Sequence, residues 1–222
     1  MITKYDNYIE ILLKIKEKIH QNKPLKAIIR PYIIKNDPFL QNLCQEILQK
    51  HITKSQLLQF IQEKIIEIKQ IPKEITINIQ KIISKRSNIC LLQATPLLCQ
   101  ILQEFDKTIK IYVSENIQAH FKKQFVNNNI IFYNDFKKIN QKIDYFLIPI
   151  HYFNDSTICY FIQNKENYNI FNQIPQLFIG TIKQYNKNNN YKTDFCIQNG
   201  RIITETGIFS HKALIEDLSL IS

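Results

Sequence analysis

The residues most able to do chemistry in this 222-residue chain sit just after short apolar runs. Gln93 and Thr95 follow Ile89-Cys90-Leu91-Leu92. Glu115 follows Ile111-Tyr112-Val113-Ser114. His151, Asn154 and Asp155 follow Tyr145-Phe146-Leu147-Ile148-Pro149-Ile150. A carboxylate at such a position holds a ligand hydroxyl or caps the next helix, and helix capping is the reading favoured for Glu115. His151 and Asp155 have the residue types of an acid–base pair. Nothing nearby in sequence orients them, so solvated loop residues are the plainer reading. Near the C-terminus, Ile203, Thr204, Glu205 and Gly207 place a carboxylate and a glycine beside one more apolar run. Glu205 reads equally as a contact to a partner chain and as a local turn carboxylate. Gly207 reads as a position of positive φ.

Composition narrows the choices. Only three glycines occur, which disfavours any Gly-rich phosphate cradle. The five cysteines, Cys44, Cys90, Cys99, Cys159 and Cys196, form no CxxC pair and sit mostly among apolar neighbours. Buried free thiols in a reducing compartment explain them. The His and Cys spacings match no zinc pattern, so no metal and no cofactor is expected. The net charge of +10 is spread along the chain. The helical segment gathers Lys14, Lys16, Lys18, His20, Lys23 and Lys26, a spacing that reads as a solvated face. Direct nucleic-acid binding is therefore not expected. No segment has the length of a signal peptide core or a membrane span, which reads as a soluble cytoplasmic protein.

The elements that must position these groups follow from periodicity. Tyr8, Ile11, Leu12, Ile15 and Ile19 recur at helical spacing over 5–21. Further helices are expected over 24–36, from Asp37-Pro38 to about His51, from Thr53 to about Gln70, and over 73–86. From residue 87 the texture changes to strands at 88–93, 109–113, 130–133 and 145–150, alternating with helices at 95–105 and 117–125 and a turn at 136–139. Later strands are expected at 157–162, 176–181 and 193–204, a polar loop at 186–192 and a helix at 210–218. Such alternation predicts βαβ units, a mostly parallel sheet, and ligands at the strands' carboxyl ends. The expected organisation is a helical N-terminal domain, 1–86, and a Rossmann-like α/β domain, 87–222.

Four stretches together carry a resemblance. They are Gln62-Glu63-Lys64-Ile65 with the helix after it, Ile89-Cys90-Leu91-Leu92 with Leu97 to Glu104, Ile111 to Glu115, and Ile202-Ile203-Thr204-Glu205-Thr206-Gly207-Ile208-Phe209-Ser210. Their order and spacing resemble the α, β and δ subunits of eukaryotic translation initiation factor 2B, nearest the δ subunit. The resemblance implies a regulatory, non-catalytic subunit of the guanine-nucleotide exchange complex in translation initiation. Its implied partners are the other subunits and translation initiation factor 2. Sugar-phosphate isomerases of the same superfamily use a Cys and an Asp at the strand-end loops. Here Gln93-Ala94-Thr95-Pro96 has no Cys and Pro149-Ile150-His151 has no Asp. The resemblance then implies a degenerate ligand pocket at Gln93, Thr95, Glu115, His151 and Asn154. Isomerisation of ribose 1,5-bisphosphate or methylthioribose 1-phosphate is the alternative activity.

Overall fold

The computed structural model describes residues 4–33, 37–50, 52–91, 93, 95–115, 129–160, 174–185, 195–197 and 200–221. The expected helix at 117–125 and polar loop at 186–192 lie outside them. The chain divides into two compact units, Met1–Ile71 and Pro72–Ser222.

The first unit is helical. Helix α1 (Lys4–His20) is followed by α2 (Leu25–Ile33), α3 (Pro38–Gln49) and the first turns of α4 (Lys54–Gln80). Each end has a local cause. Asn22 takes φ 59°, the left-handed conformation that closes a helix C-terminus, and Lys23 N–H donates to the Lys18 carbonyl at 3.2 Å. Asp37 caps α3, accepting from Leu40 N–H, with Pro38 in the first turn. The same carboxylate accepts the Tyr8 hydroxyl at 2.8 Å, and the Tyr8 ring stacks on Phe39 at 4.3 Å. The expected inward residues of α1 are all buried, with Leu12 and Ile15 fully so.

The second unit begins inside α4. A break was expected at Pro72, because proline removes a helical N–H and restricts the residue before it. The helix instead runs through to Gln80 and ends earlier than the expected 86. Its apolar stripe is uninterrupted: Ile61, Ile65, Ile68, Ile71, Ile75 and Ile79 are all buried. Thr76 Oγ1 donates to the Pro72 carbonyl at 2.7 Å. The expected domain boundary at 86 followed the change of texture from helix to strand. The compact units instead part at Ile71–Pro72, because the last turns of α4 are bound to the sheet that follows. Asn78 makes that attachment through the carbonyl of Thr204.

Nine strands are described in this unit: β1 (Asn88–Leu91), β2 (Lys110–Ser114), β3 (Ile130–Tyr133), β4 (Tyr145–Phe153), β5 (Ile158–Tyr160), β6 (Gln176–Ile179), β7 (Phe195–Ile197), β8 (Arg201–Ile203) and β9 (Ile208–Ser210). The order β3-β2-β1-β4-β6-β8-β9 is parallel throughout except for the last pair. This is the mostly parallel α/β sheet expected from the alternation. Helix α5 (Pro96–Gln103) follows β1, and α6 (His211–Ile221) follows β9. The core joins Phe146, Ile148, Phe153, Phe178, Ile202 and Leu214, all below 2% exposed.

β4 is longer than the expected 145–150 and changes partners along its length. Phe146 to Pro149 pair in parallel with β6. Ile150 to Phe153 pair antiparallel with β5, with a register shift between Ile150 and Tyr152. β5 in turn pairs antiparallel with β7. The bulge at His151 bends β4 from one ladder to the next.

Candidate functional site

Gln93, Thr95 and Glu115 follow the carboxyl ends of β1 and β2, while His151 and Asn154 lie in and just after the antiparallel extension of β4. Thr95 caps α5: its Oγ1 accepts the Leu98 N–H at 3.3 Å, and Pro96 fills the first turn. Gln93 is half-buried just before it. Glu115 is exposed at the end of β2, and the segment it would cap lies outside the described residues.

His151 is not at a strand end but at the β4 bulge, with its ring against Tyr152. A bulge leaves carbonyls out of the ladder. Gln184 meets them: its Nε2 donates to the Ile150 carbonyl at 2.7 Å and the His151 carbonyl at 3.2 Å. Its Oε1 accepts the Thr181 N–H at 2.8 Å. One glutamine side chain thus bridges the ends of β4 and β6. Gly180 makes room for it, since a Cβ there would stand 2.7 Å from Gln184 Oε1 and 3.1 Å from Ile150 Cδ1.

The His151–Asp155 pairing considered from sequence is replaced by another. Asp155 Oδ1 accepts the Tyr185 hydroxyl at 2.5 Å. Burial, and then this hydrogen bond, pushes the Tyr185 phenol up to about 12. Asn154 holds the β4–β5 turn: its Oδ1 accepts from Ser156 N–H, Thr157 N–H and Thr157 Oγ1 at 3.0, 2.8 and 3.1 Å. Its backbone carbonyl lies 2.7 Å from Nε2 of the buried His211, at the start of α6.

The C-terminal segment forms the second half of the site. Ile203 ends β8 and is fully buried. Thr204 N–H donates to the Gly207 carbonyl at 2.9 Å, closing the β8–β9 turn. Asn78 Nδ2 donates to the Thr204 carbonyl at 2.9 Å and lies 3.5 Å from the Glu205 carbonyl. Lys81 Nζ donates to Asn78 Oδ1 at 2.7 Å. Thr181 Oγ1 donates to Glu205 Oε1 at 2.5 Å. Glu205 is therefore joined to β6 of its own chain. The expectation of positive φ at Gly207 is not met, since no described glycine has one. Space is the reason for glycine there: a Cβ would stand 3.1 Å from the Phe209 ring.

Asn78, Thr181 and Gln184 were not singled out in the sequence. Thr181 precedes the short 3-10 turn Ile182–Gln184, Gln184 ends it, and Asn78 lies inside a helix. The one available signal was Asn78 itself, an amide on the apolar face that carries Ile75 and Ile79, and buried to 6% exposure.

The cysteine expectation holds for three of the five residues. Cys44, Cys90 and Cys99 are free and buried, and burial pushes each thiol up to about 12. Cys159 is instead disulfide-bonded. Among the described residues, no three His, Cys, Asp or Glu side chains group as a metal site requires. Nor is any described helix long and apolar enough to cross a membrane.

No protein-family model matches this sequence, and no curated protein does so. Solved structures do resemble the fold. Against the eIF2B β subunit from Chaetomium thermophilum the TM-score is 0.69 at 11% identity, covering 98% of this chain and 85% of that one. Against the tetrameric eIF2B β2δ2 complex from C. thermophilum it is 0.73 at 11% identity, covering 100% and 90%. Against translation initiation factor eIF-2B of Pyrococcus horikoshii it is 0.61 at 12% identity, covering 94% and 92%. The helical N-terminal segment, the mostly parallel sheet and the strand-end turns thus make up, over nearly the whole chain, the fold of the eIF2B subunits.

Proposed function

We propose that this chain is a regulatory, non-catalytic subunit of an eIF2B-type guanine-nucleotide exchange assembly. It acts in the cytoplasm, through contacts with the other subunits and with translation initiation factor 2. The observation that carries this reading is the extent of the likeness. It runs over 98% of this chain against the β subunit, so the helical segment is included as well as the sheet.

The strand ends support it. General acid–base work needs groups positioned to reach a substrate proton. Here Thr95 is occupied as a helix cap, Asp155 by Tyr185, and Glu205 by Thr181. Gln184 fills the space above Gly180 between β4 and β6. Strand ends whose polar groups are bonded within their own chain suit a surface that binds protein. Gln93, Thr95, Glu115, His151 and Asn154 then mark where a ligand pocket has degenerated. Phosphorylation of the factor would be sensed by contact, with no catalytic residue involved.

The test separates this reading from an isomerase. The purified chain, supplied with ribose 1,5-bisphosphate or methylthioribose 1-phosphate, should leave both unchanged. Added to an exchange assembly lacking it, the chain should alter the rate of GDP release from initiation factor 2. Turnover of either sugar phosphate, with no effect on GDP release, would replace the proposal with the enzymatic alternative.

A further inference from the structure

The amino ends of the parallel strands gather an excess of positive charge. Lys110 opens β2 and is exposed, with its Cα opposite that of Asn88 in β1. Lys85 and Arg86 are exposed just before β1, and Lys107 just before β2. The two approaches are bonded together: Thr108 Oγ1 donates to the Lys85 carbonyl, and Lys110 N–H to the Ser87 carbonyl at 3.1 Å. Lys142 is exposed shortly before Asp144, whose N–H donates to the Asn88 carbonyl at 2.8 Å. Arg201 is exposed at the start of β8. Among the described residues, none of these six side chains forms an ion pair. The carboxylates at the same end are Glu104, Asp106 and Asp144. Asp106 accepts the Thr108 N–H and hydroxyl, both at 2.9 Å, and Asp144 accepts the Asn88 N–H at 2.7 Å. The Thr108 bonds, with Lys85 nearby, hold the Asp106 carboxyl below its ordinary range. We propose that this edge of the sheet binds the phosphate backbone of single-stranded RNA.

Strand order makes the cations a row. β2, β1, β4, β6 and β8 are successive neighbours. Neighbouring strands stand ~4.8 Å apart, so the starts of β2 and β8 are roughly 19 Å apart along the edge. A row of that length spans several consecutive phosphates. Tyr145 is half-buried and opens β4 in the middle of the row. An aromatic ring beside a basic track is where an unpaired base stacks. In sequence these cations are scattered from 85 to 201, so their charge looks diffuse until the sheet assembles them.

The edge suits RNA better than an acidic protein. Protein interfaces have an apolar centre and few lysines. Nucleic-acid interfaces are polar and strongly positive. The exposed large apolar side chains described are Leu13, Ile52, Ile66, Ile77 and Ile131, and none opens or immediately precedes a strand. RNA rather than DNA follows from the cytoplasmic role proposed above, and the inference rests on that reading in this respect alone.

Fluorescence anisotropy with the full chain and a labelled oligouridylate tests the proposal. Between about 50 and 200 mM KCl, log affinity should fall with log salt by about 0.7 per phosphate neutralised, a slope of roughly −2 to −4 for about three to six contacts. The triple variant R86E/K107E/K110E should bind at least about tenfold more weakly and flatten the slope by about 2. R86Q/K107Q/K110Q should move both in the same direction, and it carries the test if charge reversal disturbs the fold. K23E/K26E/K69E makes the same change of net charge at exposed lysines of the helical unit, and should leave affinity within about twofold. Equal loss in the two Glu triples would overturn the site, because binding would then follow diffuse charge. No binding at the lowest salt would overturn it too. Tighter binding of polyglutamate than of oligouridylate would replace RNA with an acidic protein. A chain that alters GDP release but binds no RNA would overturn this inference and leave the proposed function standing.

Discussion

Asn78 Nδ2 donates to the Thr204 carbonyl at 2.9 Å, joining two residues 126 positions apart. This bond fixes the last turns of α4 to the turn between β8 and β9, and Lys81 holds the other end of the amide. Asn78→Ala should cost about 1–3 kcal/mol, because a buried carbonyl loses its donor. Asn78→Asp should cost more, since a carboxylate would face two carbonyl oxygens. Urea midpoints at unchanged m-value would report both.

Gly180 should tolerate no side chain. A Cβ would press on Gln184 Oε1 and Ile150, and moving Gln184 would unpair the Ile150 carbonyl. Gly180→Ala should therefore destabilise by about 1–3 kcal/mol. Gln184→Ala should also lower the midpoint. The double variant should lose less than the sum, because the alanine methyl then occupies the space Gln184 has left.

Pro72 should be a cost to α4. Pro72→Ala restores a helical N–H at a position where the backbone is already helical. Stability should rise by about 1 kcal/mol or more, read as a higher denaturation midpoint. No gain would mean that Pro72 packing compensates for its missing hydrogen bond.

Burial holds the thiols of Cys44, Cys90 and Cys99 near 12, against an ordinary value of 9.0. Each folded-state value is raised. The stability these thiols contribute is therefore complete below pH 9 and is lost as pH rises toward 12. Above pH 9 the unfolded chain has shed protons that the folded chain keeps. Stability measured from pH 8 to 12 should fall through that window. Iodoacetamide at pH 8 should leave all three residues unmodified until the chain unfolds.

Much of the fold was legible because its cues are local. Asp37-Pro38 and Thr95-Pro96 start helices where expected, each with a side-chain cap. The apolar runs at 88–93, 145–150 and 176–181 became β1, β4 and β6. The site was less legible because its bonds are not local. Gln184 reaches 34 positions back to Ile150, and Thr181 24 forward to Glu205. Periodicity could not reveal the bulge at His151 either, since partner exchange along β4 depends on what β5 and β6 do. At Pro72 a strong local breaker was overridden by the apolar stripe on both sides. Cys159 looked like any buried thiol, because nothing in its neighbours in sequence marks it as bonded.

Affinity capture of the tagged chain from native extract, with the bound proteins identified by mass spectrometry, decides whether the chain is an exchange-factor subunit. The other exchange-factor subunits should be recovered in fixed ratio, together with initiation factor 2. A chain that elutes alone, with no exchange-factor subunit and no effect on GDP release, would contradict it.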